Sequence, residues 1–156
     1  MSVLDDVALL AGKGALMGLD PGTKTIGVAV SDGLQMTATA LETIHRRKFA
    51  QDAARLAEIA QGRSIAGVVV GLPLNMDGSE GPRAQSSRAF ARNVAEKLGV
   101  PVALWDERLT TAAAERMLIE ADTSRKRRAE VIDAVAAQHI LQGALDRLAV
   151  LARTGQ

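Results

Sequence analysis

Acidic residues stand at three places where an unpartnered carboxylate is costly to desolvate. Asp20 ends the apolar run ALMGLD, Asp106 and Glu107 follow VALW, and Asp133 lies within AEVIDAVAAQHILQGAL. As a helix, the last stretch puts Ala137, Ile140 and Ala144 at i+4, i+7 and i+11 from Asp133, so its carboxylate projects from a mostly apolar stripe. Alanines at 134, 136 and 137 would let that helix approach a sheet closely. Each acid also has a plainer role. Asp before Pro-Gly starts turns, Asp106-Glu107 suits a solvated strand end, and an acid near a helix start is favoured by the helix dipole. Together they point to a cation, because converging carboxylates repel one another without one. With no cysteine and only His45 and His139 as imidazoles, the ligands must be carboxylates, which select Mg²⁺ or Mn²⁺.

The remaining chemistry concerns anions. In GLPLNMDGSEGPRA, residues 71–84, Gly71, Gly78 and Gly81 allow backbone to approach a phosphate. The helix that follows offers its N-terminus, and Arg83 adds a cation. Surface loops are often equally rich in Gly and Pro. Two basic runs stand out, RRK at 46–48 and Arg125, Lys126, Arg127 and Arg128, although such runs are also common as solvated loops. Net charge is only +1, with one Trp, two Phe and no Tyr. A nucleic-acid partner would therefore be gripped by its backbone through local cations, not by base stacking.

The elements that must carry these groups follow from periodicity. Strands are expected at 15–20, 26–31, 36–43, 65–72 and 102–105, the first two joined by a Pro-Gly turn. Helices are expected at 49–61, 83–98, from Thr110 or Thr111 onward, and at about 129–151. The helix after Thr110 would bury Ala114, Met117, Leu118 and Ala121, and Arg125–Arg128 would form the loop after it. This order predicts an α/β fold: a five-stranded mixed sheet, a three-strand antiparallel meander plus two parallel strands, with helices on both faces. Sites in such sheets gather at the carboxyl ends of parallel strands, where Asp20 and Asp106-Glu107 fall. The length of 156 residues suits one domain, read as 15–151 after an N-terminal extension, 1–14. Asp5 and Asp6 stand where a secretion signal needs positive charge, and no apolar run nears the ~20 residues of a membrane span. A cytoplasmic protein with no membrane partner is expected.

Four blocks in this order, DPGTKTIGVAVSD, VVVGLPLNMDGSEGPRA, WDERLTTAAAERML and IDAVAAQHIL, resemble the YqgF family across residues 15 to about 145. That family is known for Holliday junction resolution and pre-16S ribosomal RNA processing and has a ribonuclease H-like fold. The resemblance implies a metal-dependent nuclease that cleaves precursor ribosomal RNA or branched DNA. It implies Asp20, Glu107 and Asp133 as catalytic metal ligands. It matches Gly22, Thr23 and Lys24 to the family's first loop, Arg83 to its GSE-loop arginine, and Arg108, Thr110 and Thr111 to DERLTT. Many ribonuclease H-like nucleases carry an acid at the end of the fourth strand, whereas this chain reads Gly71-Leu72-Pro73, so Glu107 would have to substitute. An actin- or sugar-kinase-like ATPase shares the Asp-x-Gly-Thr turn but needs two such domains. A non-catalytic nucleic-acid binder would keep the cations and tolerate loss of Asp133. A resolvase would want a homodimer, and an RNA trimmer could act as a monomer.

Overall fold

The computed structural model describes residues 3–4, 6–109 and 125–154, with the backbone alone for residues 4 and 125–131. Its strands are β1 (Val3–Leu4), β2 (Leu16–Pro21), β3 (Thr25–Ser31), β4 (Ala38–His45), β5 (Gly67–Leu72) and β6 (Val102–Asp106). Its helices are α1 (Phe49–Gly62), α2 (Pro82–Leu98) and α3 (Arg125–Arg153). Short 3-10 turns cover Val7–Leu10 and Glu107–Leu109. The sheet order is β1-β6-β5-β2-β3-β4. β2, β3 and β4 pair antiparallel, and β5 and β6 extend the sheet in parallel from β2. The expected meander and parallel pair are thus present, and the two-residue β1 adds a sixth strand beside β6.

Two of the expected boundaries are corrected. The third strand begins at Ala38, not 36, because Asp32 ties the preceding turn by accepting the N–H groups of Leu34, Met36 and Thr37. The last helix begins at Arg125, not near 129, so Arg125–Arg128 form its first turn rather than a loop. None of these four residues breaks a helix. The helix expected from Thr110, with Ala114, Met117, Leu118 and Ala121, lies outside the described residues.

Each sheet face has its own core. α1 and α2 cover one face, burying Leu19, Val28, Val68 and Val70 of the sheet against Leu56, Phe90 and Val94. α3 lies along the other with Ala137, Ile140, Leu141 and Ala144, over Leu16, Ala29, Val69 and Trp105. Burial on both faces explains why β5 reads as an unbroken apolar run. The expected stripe of α3 is borne out, with Ala137, Ile140 and Ala144 fully buried. Val7 and Leu10 pack into this second core.

Candidate active site

One rung of the sheet organises the acids. Asp20 on β2 pairs with Gly27 on β3, and Gly71 on β5 pairs with Trp105 on β6. Since Leu19 pairs with Val70, the next rung sets Asp20 beside Gly71. In-register neighbours share a face, so Asp20 has a glycine on each side, and all three point toward α3. A Cβ on Gly27 would overlap the backbone carbonyl of Asp133. A Cβ on Gly71 would lie 2.7 Å from Glu107 Oε1 and 2.7 Å from Ile140 Cδ1. Bare glycine on one side thus admits the backbone of Asp133, and on the other the carboxylate of Glu107. The missing fourth-strand side chain is the space that Glu107 occupies.

Asp20 is 6% exposed, while Glu107 and Asp133 are half-buried. Thr25, two residues before Gly27 on the same face of β3, donates its hydroxyl to Asp133 Oδ2 at 2.6 Å. That contact directs the Asp133 carboxylate toward the β2–β3 turn and leaves its second oxygen for another partner. The site therefore gathers Asp20, Glu107 and Asp133 around one rung. Among the described residues, no group of three or more His, Cys, Asp or Glu side chains is arranged to hold a metal ion.

The neighbouring Asp106 has a different employment. It pairs with Leu72, so it faces away from α3. Its carboxylate takes the Arg108 guanidinium, with Oδ2 2.7 Å from Nη2, and the Arg108 backbone N–H at 2.9 Å. The Arg108 hydrogen bond holds the Asp106 carboxyl below its usual range. Arg108 also donates to the Met76 carbonyl at 3.2 Å, tying the β5–α2 loop to the end of β6. Of the two adjacent acids, only Glu107 turns to the rung of Asp20.

The expected phosphate groups are divided. Gly22, Thr23 and Arg83 line a common cleft of about 520 Å³ on the α2 side of the β2–β3 turn. Lys24 is exposed and is not among the residues lining that cleft; its carbonyl accepts the Arg46 N–H at 2.8 Å. Thr110 and Thr111 lie outside the described residues, and for Arg125, Lys126, Arg127 and Arg128 only the helical backbone is described. Gly78 sits at φ +88°, with Arg108 packed beside it, rather than in the cleft. Sequence reasoning missed Thr25, whose signal was a second hydroxyl in DPGTKT, and Arg46 and Arg47, visible only as a basic run.

A parallel core joined to an antiparallel meander, with acids at the central strand end and on the covering helix, defines a ribonuclease H-like protein. The fold matches a Thermus thermophilus RuvC solved with a Holliday junction substrate, at TM-score 0.54 and 18% identity, over 91% of this chain and 96% of that one. A second T. thermophilus RuvC structure matches at TM-score 0.52. Residues 14–147 match the family model described as "RuvX: Holliday junction resolvase", and the chain belongs to that nuclease family. A Cereibacter sphaeroides (strain KD131) protein named "Putative pre-16S rRNA nuclease" is 66% identical over 97% of this chain and 94% of its own length. A Roseobacter denitrificans protein of the same name is 64% identical over 94% of this chain and 91% of its own.

Proposed function

We propose that this chain is a cytoplasmic, metal-dependent nuclease that hydrolyses phosphodiester bonds in precursor 16S ribosomal RNA, with Asp20, Glu107 and Asp133 as catalytic residues. The observation that carries this reading is the Glu107 carboxylate over Gly71, one strand from Asp20 and on the same face. The three acids offer an all-oxygen donor set of the kind that Mg²⁺ or Mn²⁺ takes, and their carboxylates would close around the ion on binding. A divalent cation held there supplies an activated water and stabilises the leaving oxygen.

The chain's own groups prepare that chemistry. Burial of Asp20 strengthens its attraction to a cation. Thr25 fixes the rotamer of Asp133, and the contact of α3 with Gly27 fixes its height above the sheet. Lys24 at the turn offsets charge that grows on the phosphate. Gly22 and Thr23 bring backbone close to the strand. Arg108, Thr110 and Thr111, and the first turn of α3 with Arg125, Lys126, Arg127 and Arg128, grip flanking phosphates.

The test is cleavage of precursor 16S RNA and of four-way DNA junctions with Mg²⁺, Mn²⁺ or chelator. The expected result is metal-dependent cleavage of the RNA, lost in Asp20→Asn and Asp133→Asn. Near-normal cleavage by Asp133→Asn would end the three-acid assignment. Cleavage of junctions alone, together with a dimer in solution, would transfer the reading to branched DNA, the activity the family description names.

A further inference from the structure

The cleft on the other face of the sheet is built for an anion. Arg46, Arg47 and Arg83 line it, and no carboxylate does. Arg46 is structural: its Nη1 donates to the Gly22 carbonyl at 2.6 Å and its guanidinium lies 5.5 Å from the Phe90 ring centroid. It thereby pins the β2–β3 turn as one wall. Arg47 is held by its backbone, whose N–H reaches the buried Asp52 carboxylate at 3.2 Å. Its guanidinium, like that of Arg83, has no ion pair among the described residues. The opposite wall is the first turn of α2, a 17-residue helix with Gly81 at its N-cap, no side-chain cap and no acid in its first turn. Its free N–H groups and dipole favour negative charge.

A second observation is independent of the helix end. Ser87 lines the cleft with a side chain only 3% exposed, and no hydrogen bond ties its hydroxyl to another described residue; the fully enclosed orphan atom among the described residues is Trp105 Nε1, so the Ser87 oxygen opens onto the cleft. A buried hydroxyl normally has a partner. An oxyanion in the cleft would supply it, within reach of Arg47 and Arg83.

We propose that this cleft is a second phosphate site, which holds a phosphate of the substrate strand one residue of chain away from the hydrolytic acids. Asp20 faces α3 and the following Pro21 lines the cleft, so a strand crossing the carboxyl end of β2 meets the acids on one side and the arginines on the other. The identity of the bound strand rests on the nuclease reading; the anion site itself does not. The phosphate belongs either to a 5′ end or to an internal diester.

The test compares the full chain with Arg47→Ala and Ser87→Ala, using Arg63→Ala, at the far end of α1, as control. The first probe is inorganic phosphate, followed by ³¹P line broadening at constant ionic strength. The second is a short RNA, with or without a 5′ phosphate, followed by fluorescence anisotropy across salt concentrations. The expected result is phosphate broadening in wild type and Arg63→Ala, reduced in both cleft variants. RNA affinity should fall about tenfold in Arg47→Ala, and its salt slope should flatten by about 0.7, the loss of one phosphate contact. A loss confined to the 5′-phosphorylated RNA assigns a terminal monoester, and an equal loss for both assigns an internal diester. Phosphate and RNA binding that match wild type in both variants would overturn the site. Phosphate binding lost in the variants, with no RNA bound by wild type, would keep the anion site and defeat the nuclease reading.

Discussion

On the α3 side of β2, glycines let a helix backbone settle onto the sheet, and carboxylates fill what space remains. On the α2 side of the same strand end, arginines line an open cleft beside the first turn of the helix. The Cβ that Gly18 lacks would lie 2.7 Å from Leu141 Cβ and 3.0 Å from the Ala137 carbonyl, so α3 has no room to retreat from its acids. α2 meets the sheet through Ala84, Phe90, Ala91 and Val94, with the arginine-lined cleft beside its first turn. One face is close-packed and acidic, which suits fixed ligands for a cation. The other is open and basic, which suits a strand that must enter and leave. Two consecutive residues, Asp20 and Pro21, serve these two sides, Asp20 facing α3 and Pro21 lining the cleft.

The sharpest way to break this division is to exchange the effects of its two sides. Asp20→Asn should reduce cleavage by on the order of 10³-fold, ~4 kcal/mol of barrier, while RNA still binds. Its thermal stability should hold or rise, since repulsion among the acids is relieved. Arg47→Ala should act mainly through KM. Single-turnover cleavage and anisotropy on both variants decide the matter: a kcat loss in Arg47→Ala as large as that in Asp20→Asn would mean that the faces are not separate.

A smaller effect tests the packing. Gly27→Ala places a methyl group against the Asp133 backbone carbonyl, which cannot rotate away as a side chain can. α3 must lift, and the cost should be about 3 kcal/mol, at the upper end for overpacking. Gly62→Ala, with nothing within 4 Å, should be nearly neutral. Equal melting temperatures for the two variants in circular dichroism would refute the close approach of α3. Gly71→Ala meets only the flexible ends of Glu107 and Ile140, so it should fold well. It should displace the Glu107 carboxylate and slow cleavage by about 10²-fold, the cost of a misplacement near 1 Å. Unaltered cleavage would release Glu107 from the site.

Much of this arrangement was legible in the sequence because it is written in local patterns. Strand ends at Asp20 and Asp106, the stripe around Asp133 and the alanines beneath it all obey short periods. What local pattern could not assign, and the family resemblance alone supplied, was which acid of the Asp106-Glu107 pair joins Asp20. That follows from Gly71 on a different strand, through a register set by non-local pairing. Arg46 and Arg47 were visible as charge but not as a wall, since only the antiparallel return of β4 carries them back to the β2–β3 turn. Four consecutive cations resemble a solvated linker, yet all are good helix formers, and they make the first turn of α3.

The smallest effect separates the two neighbouring acids. Asp106 is held below its usual carboxyl range by Arg108, so its charged form favours the folded state. That contribution is present above the ordinary Asp value of about 3.8 and is lost as pH falls through the lower folded value. The pair is partly exposed, with side chains 37% and 21% accessible, so solvent screens it to a few tenths of a kcal/mol. Asp106→Asn should therefore be slightly less stable than wild type at pH 7, and the gap should close below about pH 3.8, as denaturation at both pH values would show. Its cleavage rate should stay within about twofold, because its carboxylate faces away from α3, whereas Glu107→Gln should lose activity as Asp20→Asn does. Comparable losses in Asp106→Asn and Glu107→Gln would mean that the Asp106–Arg108 pair supports the site through the Met76 loop, and the boundary between the faces would then run through Glu107.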